Sequence, residues 1–316
     1  MTPRLLVGPL DPATAEGVHT LAANATLADG ARPLSEQPLL ELMTDDADLT
    51  HVVVRADDAP GAPVVGYAQV DRRGTTPSAE LVVDPEHRRR GIGRMLLRTA
   101  QRDATLPSRS GAPAGRPELR VWAHGFGPAA QAFSRAMGLH VVRELQLQTR
   151  SLDDAPLDLD GAVAAAGARE FRPGEDDDAW VTANARIFAQ HPEQGRLTLA
   201  DLRTREAQEW FDPSLFYVVP SLDDPARIDA YAWLKVEHPH ASVGATSSAE
   251  IYVIGVDPAL QGRGLGGRLT ALALAALRRT GADHAELWVD ADNLAAVATY
   301  ARAGFTVASR DVQLSR

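Results

Sequence analysis

Two glycine-containing stretches carry the residues whose types and spacing best suit chemistry. They are VDPEHRRRGIGRML, from Val83 to Leu96, and VDPALQGRGLGGRL, from Val256 to Leu269. Glycine permits positive φ angles and a close approach of the backbone, so that consecutive N–H groups can form a concave anion-binding nest. A helix that follows adds unpaired N–H groups and the positive end of its dipole. The duplicated spacing therefore predicts phosphate or pyrophosphate binding, with an ordinary strand-to-helix turn as the alternative.

Basic side chains beside these glycines favour a small anionic ligand. Arg88, Arg89 and Arg90 lie in the first stretch, and Arg263 and Arg268 lie in the second. The whole chain of 316 residues is acidic, with a formal net charge of -10. A chain of this charge is a poor candidate for nucleic-acid binding. We therefore expect local phosphate recognition and no nucleic-acid partner.

Other well-known motifs fit the chain less well. Gly262, Gly264 and Gly267 satisfy G-x-G-x-x-G, but the first stretch has no glycine at two of these places, and the motif comes late in its half. Neither the G-K-[ST] of a Walker loop nor a G-x-S-x-G nucleophile elbow is present. The chain has no cysteine, which excludes disulfides, thiolate metal sites and a cysteine nucleophile. The HPH sequence at 238–240 is interpreted as a loop histidine pair, and no metal is expected.

The two stretches are parts of a longer internal repeat. They align at an offset of 173, which pairs Asp84 with Asp257 and Gly91 with Gly264. Further on, 121–142 matches 287–308 at an offset of 166, and upstream VVGYAQV (64–70) matches IDAYAWLKV (228–236). An extra loop rich in Pro, Gly and Ser, TLPSRSGAPAGRP (105–117), accounts for the difference. We therefore predict two long domains, 1–150 and 169–316, with the Asp-, Ala- and Gly-rich segment 151–168 as a linker.

Each half shows the same order of elements. Short strands rich in β-branched residues lead to the strand that ends in V-D-P, and the glycine stretch then opens a helix with i, i+3, i+4 apolar spacing. A further strand, a helix and a last strand follow, as in LRVWAH and HVVREL or AELWVD and FTVASR. These elements must hold both glycine stretches at the end of a strand.

Both stretches resemble the acyl-CoA loop of the GCN5-related N-acetyltransferases (GNAT), whose pattern is [Q/R]-x-x-G-x-[G/A]. Arg88-Arg-Arg-Gly91-Ile-Gly93 and Gln261-Gly-Arg-Gly264-Leu-Gly266 both satisfy it, and NLAAVATYARAGF (293–305) is similar to a late segment of the family. The resemblance covers most of both halves. It implies an α/β fold of two tandem GNAT domains, each a twisted mixed sheet flanked by helices. Acyl-CoA is expected where two central parallel strands diverge.

The resemblance also implies the chemistry. It is acetyl transfer from acetyl-CoA to an amine, directly and without an acyl-enzyme. A backbone N–H within Ile254–Val256 is expected to stabilise the oxyanion, Tyr300 to act as general acid and Glu250 as general base. The implied contacts with acetyl-CoA in the N-terminal half are Leu81, Val82, Val83, Arg89, Arg90, Gly91, Ile92, Gly93 and Arg94. Those in the C-terminal half are Ile254, Gly255, Val256, Gln261, Gly262, Arg263, Gly264, Leu265, Gly266, Gly267, Asn293, Leu294, Ala295, Ala296, Val297 and Ala298.

The N-terminal half lacks both proton-transfer candidates. The offset of 166 places Ser134 opposite Tyr300, and the offset of 173 places Pro77 opposite Glu250. Glu80 falls opposite Val253 instead. We therefore expect the N-terminal domain to bind acetyl-CoA without catalysing transfer and the C-terminal domain to be catalytic.

Further stretches indicate the acceptor. Segments 34–42, 191–213, 232–239 and 250–258 resemble one tandem branch of this family, found in actinobacteria, whose acceptor is the cysteinyl amine of cysteinyl-glucosaminyl-inositol. The resemblance implies acceptor contacts at Glu36, Glu193, Lys235, Glu250 and Trp288, and at the last of these the compared member has a tyrosine. Two alternatives remain open: a tandem enzyme for another small amine, such as an aminoglycoside or a polyamine, and a non-catalytic acyl-CoA sensor.

The remaining expectations concern location and assembly. No apolar run reaches about 18 residues, the length that a membrane span requires. The N-terminal MTPRLLVGPLDPATAEG is a poor signal peptide. We therefore expect a cytoplasmic enzyme with no membrane partner, and a monomer, because a built-in repeat can replace a homodimer.

Overall fold

The computed structural model describes residues 3–59, 61–74, 76–107, 118–191, 194–236 and 247–316. The HPH sequence at 238–240, Glu193 and most of the predicted extra loop lie outside the described residues. Within the described ranges, no helix has both the length and the apolar character that a membrane crossing requires.

Helices and strands are numbered in chain order. The helices are α1 (Pro12–Asp29), α2 (Glu36–Leu40), α3 (Ile92–Asp103), α4 (Pro128–Met137), α5 (Leu159–Ala166), α6 (Asp177–Ile187), α7 (Leu199–Glu206), α8 (Leu265–Arg279) and α9 (Leu294–Arg302). The strands are β1 (Arg4–Val7), β2 (Leu49–Arg55), β3 (Val64–Asp71), β4 (Ser78–Val83), β5 (Arg120–Ala123), β6 (His140–Ser151), β7 (Arg169–Glu170), β8 (Phe216–Pro220), β9 (Ile228–Lys235), β10 (Ser248–Val256), β11 (His284–Asp290) and β12 (Thr306–Ser315).

The chain divides into two compact units. The first unit comprises residues 1–144 and 310–316, and the second unit comprises residues 145–309. These ranges differ from the predicted 1–150 and 169–316, because β6 passes from the first unit into the second and β12 passes back into the first. A strand that pairs with distant partners cannot be assigned to a unit from its position along the chain.

The first unit contains a mixed sheet with the strand order β1-β2-β3-β4-β5 followed by the end of β12. Neighbouring strands are antiparallel except β4 and β5, which are parallel. Val53 packs on one face with Val18 and Leu21 of α1, and Val52 packs on the other face with Leu96 of α3. Because successive side chains of a strand point to opposite faces, burial on both faces explains the continuous apolar run of β2.

The second unit repeats this arrangement. Its sheet has the order of the end of β6, then β11-β10-β9-β8-β7, and only β10 and β11 are parallel. Leu234 packs with Leu269 of α8 on one face, and Trp233 packs with Trp180 of α6 on the other. Each unit is therefore a mixed sheet flanked by helices, which confirms the predicted fold class.

The segment 151–168, predicted as a linker, carries a capped helix that belongs to the second unit. The Asp158 side chain accepts a hydrogen bond from the N–H of Gly161 at 2.8 Å, and Gly167 ends α5 with a φ of 65°. Leu152 and Ala155 are buried in the same core cluster as α8. The small alanine side chains of α5 show little hydrophobic periodicity, although the aspartate and glycine caps are recognisable signals.

Candidate active site

The two glycine stretches form the same local structure. Each leads from a central strand through one short 3-10 turn into the helix α3 or α8. The Gln261 side chain donates a hydrogen bond from Nε2 to the carbonyl oxygen of Val256 at 3.2 Å. Arg88, its counterpart, donates from Nε to the carbonyl oxygen of Val83 at 3.2 Å. Different side chains therefore hold the two turns by the same bond.

Left-handed backbone conformations open both helices. Gly264, the N-cap of α8, has a φ of 80°, and Gly91, the N-cap of α3, has a φ of 87°. No side chain among the described residues caps either helix, so the first N–H groups are not taken up by a cap. At Gly262, Gly266 and Gly267 an added Cβ would meet nothing within 4 Å. The backbone of this turn therefore faces open space at the positive end of α8, which fits the pyrophosphate of acetyl-CoA.

The parallel strands separate beside these helices. The pairing of β10 with β11 ends at Ile251 and Leu287, although β10 continues to Val256 and β11 to Asp290. A β-bulge lies between Ile251 and Val253. Because a bulge bends its strand and increases the local twist, β10 turns away from β11 at this point. The space between the separated ends of these two strands, called the cleft below, is where the family resemblance places acyl-CoA.

Glu250 and Lys235 are neighbours on the sheet. The antiparallel register of β9 and β10 places them directly opposite one another, one residue before the first residue of the bulge. Glu286 lies opposite Glu250 on the parallel side. Lys235 is only 6% exposed, and its Nζ lies 4.7 Å from the ring centroid of Trp210 and 5.8 Å from that of Tyr252. Two aromatic faces thus stabilise a buried cation beside the candidate base.

Tyr300 is half-buried in α9. Its ring contacts Phe305 with a centroid distance of 5.8 Å. Burial raises the pKa of Tyr300 to about 12, so its hydroxyl keeps its proton at neutral pH. A hydroxyl that keeps its proton can act as a proton donor to a leaving thiolate.

Three further predicted residues of the second unit lie on β10, at the beginning of α9 and on β11. Gly255 lies past the bulge, and an added Cβ would come within 2.8 Å of the Tyr231 ring and 3.1 Å of the Phe188 ring. Asn293 caps α9 by accepting a hydrogen bond from the N–H of Ala296 at 3.2 Å. Trp288 is 38% exposed on β11. The predicted acetyl-CoA contacts thus occupy the end of β10, the turn before α8 and the beginning of α9.

In the first unit, the predicted acetyl-CoA contacts form the end of β4 and the beginning of α3, but the reactive groups differ. Ser134 in α4 is buried and donates a hydrogen bond to the carbonyl oxygen of Gln131 at 2.9 Å. Because β4 has no bulge, the register makes Ser78, and not Pro77, the structural counterpart of Glu250. Glu36 also lies in this unit, where it begins α2.

A buried ionic network that sequence reasoning missed occupies the first unit. His124 lies with Nε2 3.1 Å from Glu80 and with Nδ1 2.5 Å from Asp311. Burial alone would lower the pKa of His124, but the two carboxylates raise it to about 10. Burial would raise the pKa of Glu80, but the charge of His124 and hydrogen bonds from Ser35 hold it below its ordinary value. These residues are far apart in the chain, so no local pattern indicates the network.

Comparisons with known proteins agree with this geometry. Residues 183–305 match the model of the acetyltransferase (GNAT) family, and residues 48–138 match that of the acetyltransferase (GNAT) domain. A mycothiol acetyltransferase of Cellulomonas flavigena is 46% identical, with 96% of this chain and 86% of the relative covered. One of Sanguibacter keddieii is 45% identical, with 98% and 95% covered.

A solved structure shows the same fold. The GCN5-related N-acetyltransferase of Sphaerobacter thermophilus superposes with a TM-score of 0.68 at 24% identity, over 99% of this chain and 95% of that one. The family matches favour an enzyme that takes its acetyl group from acetyl-CoA over a non-catalytic acyl-CoA sensor. The chain therefore belongs to the GNAT acetyltransferases and, within them, to the mycothiol acetyltransferase family.

Proposed function

We propose that this protein transfers the acetyl group of acetyl-CoA to the cysteinyl amine of cysteinyl-glucosaminyl-inositol, which completes mycothiol and releases CoA. The reaction takes place in the second unit. The observation that carries this assignment is the place of Glu250, on the strand that diverges from β11 and leads into the open glycine turn. The identity to relatives named mycothiol acetyltransferase supports the choice of acceptor.

The glycine turn and the neighbouring backbone bind acetyl-CoA. The N–H groups from Gly262 to Gly267 and the dipole of α8 hold the pyrophosphate, and Arg263 adds positive charge. Residues 254–256 contact the acetyl end, and residues 293–298 at the beginning of α9 complete the site. Bound acetyl-CoA supplies an activated thioester. Binding at this turn aims the thioester along the cleft towards Glu250.

Glu250 and Tyr300 move the protons. The ordinary pKa of an α-amino group is about 7.7–8.0, so a useful fraction of the cysteinyl amine is neutral near neutral pH. Glu250, directly or through water, takes the proton that the nitrogen loses as the new C–N bond forms. A backbone N–H of residues 254–256 stabilises the negative charge that develops on the carbonyl oxygen. Tyr300 donates its proton to the sulfur as the C–S bond breaks, and no acyl-enzyme is formed.

Polar side chains hold the acceptor. Carboxylates accept hydrogen bonds from its hydroxyls and its ammonium form, and a lysine donates to its oxygen atoms. We assign this role to Glu250 and Lys235 on the sheet, to Glu36 and to Glu193. Trp288 contributes an aromatic face where a tyrosine of the compared family member also offers a hydroxyl.

The first unit binds acetyl-CoA without catalysing transfer. Its glycine turn has the same N-cap geometry as that of the second unit, but serines occupy the places of Glu250 and Tyr300. We further expect a cytoplasmic monomer.

An assay with defined amines tests the proposal. The purified protein is incubated with acetyl-CoA and cysteinyl-glucosaminyl-inositol, glucosaminyl-inositol, an aminoglycoside or a polyamine, and both CoA release and product mass are measured. We expect acetylation of the cysteinyl compound at a far higher kcat/KM than that of the others. A higher kcat/KM for the aminoglycoside or the polyamine would contradict the proposed acceptor.

A further inference from the structure

The described parts of the loop between α6 and α7, residues 188–191 and 194–198, contact both strands that separate in the second unit. At its beginning, the Phe188 ring packs against Gly255 of β10, where an added Cβ would lie 3.1 Å from the ring. Three residues later, His191 Nε2 lies 3.5 Å from Asp290 Oδ2 at the end of β11. Since β10 and β11 no longer pair here, the described part of this loop connects two strands that have separated.

A chain of hydrogen bonds fixes the loop to the core. The hydroxyl of buried Tyr231 donates to Asn184 Oδ1 at 2.6 Å, and Asn184 Nδ2 donates to the carbonyl oxygen of Gln194 at 2.7 Å. The N–H of Gln194 donates to His191 Nδ1 at 3.0 Å. Because Nδ1 accepts this bond, the hydrogen of a neutral His191 is on Nε2, which faces Asp290.

The loop also requires a glycine. A Cβ at Gly195 would lie 2.1 Å from the carbonyl oxygen of Phe188, so the backbone at Gly195 packs directly against the first residue of the loop. No other residue type fits such a close backbone approach. The described part of the loop is therefore held at β10, at the core and at β11.

The first unit contains an equivalent connection made of different residues. His124 stands opposite Asp290 in the repeat, since 124 plus 166 is 290. Glu80, which pairs with His124, accepts hydrogen bonds from the N–H and hydroxyl of Ser35, in the loop after α1. In the first unit, Glu80 and His124 thus connect the loop after α1 to the end of β5. In the second unit, His191 and Asp290 connect the loop after α6 to the end of β11.

We propose that His191 and Asp290 are positioning residues that hold the described part of the α6–α7 loop beside the separated ends of β10 and β11. On the basis of the proposed function, the fixed loop determines the affinity for the acceptor amine, whereas acetyl-CoA is bound by the glycine turn. The loop contacts β10 at Gly255, next to the place proposed for the acetyl group. A displaced loop therefore weakens acceptor binding and leaves the pyrophosphate contacts of α8 intact.

Kinetics of Asp290→Ala, His191→Ala and the double variant test this role. We expect each single variant to raise the acceptor KM about tenfold, equivalent to about 1.4 kcal/mol, with kcat and the KM for acetyl-CoA unchanged. The double variant is no worse than either single one, because the two side chains act through each other. Asp290→Asn keeps an oxygen that accepts from Nε2–H, so it recovers part of the acceptor affinity. Glu175→Ala, which removes the exposed ion pair with Arg172 in the same unit, is the matched control and changes nothing.

Hydrogen exchange separates this inference from the choice of acceptor. The N–H of Gln194 bonds to His191, so its exchange is faster in both single variants, whatever amine is acetylated. If another amine is the substrate and its KM rises in Asp290→Ala, the proposed acceptor is wrong and the positioning role stands. An unchanged acceptor KM, an equal rise in both KM values or additive single effects would overturn the positioning role.

Discussion

The two glycine turns are alike in backbone and differ in the chemistry around them. In each unit a central strand separates from its parallel neighbour, a 3-10 turn follows and a glycine with positive φ opens a helix. Around Gly266 there is open space, whereas the Phe133 ring lies 3.1 Å from an added Cβ at Gly93. The frame proposed to bind phosphate consists of main-chain groups, so it does not depend on the side chains that differ between the two turns.

One row of residues across each sheet shows the difference most clearly. In the second unit the row runs Lys235, Glu250, Glu286, and in the first unit the counterparts are Asp71, Ser78, Arg120. The signs at the two ends of the row are reversed, and the central carboxylate is replaced by a hydroxyl. In the first unit the place of Glu250 therefore carries no carboxylate that could act as a base.

The largest expected effect concerns catalysis. Glu250→Gln and Tyr300→Phe should each lower kcat by about 10²–10⁴-fold, since each removes a general acid–base group. Ser78→Ala and Ser134→Ala, at the matching places of the first unit, should leave kcat unchanged. Steady-state rates at saturating substrates measure all four. A wild-type kcat in Glu250→Gln or Tyr300→Phe would contradict the catalytic role proposed for that residue.

The ionic network of the first unit should dominate its stability. Asp311→Asn removes one partner of a buried network and is expected to lower the free energy of unfolding by about 3–5 kcal/mol. Glu144→Gln breaks the partly exposed pair with Arg310 and serves as the matched control, with little change. Denaturant unfolding measures both, and equal stabilities would contradict the role of the network.

The same network predicts a pH dependence. The pKa of His124 is raised from 6.5 to about 10, so its contribution is fully present below pH 6.5 and is lost as the pH rises through about 10. The pKa of Glu80 is lowered from 4.5, so its contribution is present above pH 4.5 and is lost as the pH falls through its lower folded value. The free energy of unfolding, measured at a series of pH values from 6 to 10, should therefore fall less steeply with pH in Asp311→Asn than in the wild type.

The smallest expected effect comes from one backbone angle. Arg89 has a φ of 63° where its counterpart Gly262 has 75°. Arg89→Gly should raise stability by about 0.5–1 kcal/mol, because glycine adopts this region without steric cost. Gly262→Ala should lower it by about 1–2 kcal/mol, since the added Cβ meets only the strain of the angle. Arg90→Gly removes the same charge at a negative φ and should bring no gain in Tm.

Much of the frame was predictable because it depends on neighbours in the chain. Glycines, the V-D-P turn and the spacing of apolar residues act within a few positions, and they indicated both turns, α3, α8 and the central strands. The absence of a tyrosine at 134 was equally visible in the repeat. The helix α5 was missed, because its short alanine side chains bury against α8 without a strong periodic pattern.

Other features depend on partners that are distant in sequence. A single inserted residue in β10 changes the counterpart of Glu250 from Pro77 to Ser78, and only strand register reveals it. His124 and Asp311 are 187 positions apart, and His191 meets Asp290 across about a hundred residues.

The sequence alone indicated the two candidate phosphate-binding turns and which half carries the candidate base and acid, because these predictions rest on residue types at short spacing. The tertiary structure decided what surrounds them. It placed Lys235 beside the rings of Trp210 and Tyr252, buried His124 beside two carboxylates and brought His191 close to Asp290. Burial and charge pairing act through space, so their consequences exist only once the chain has folded.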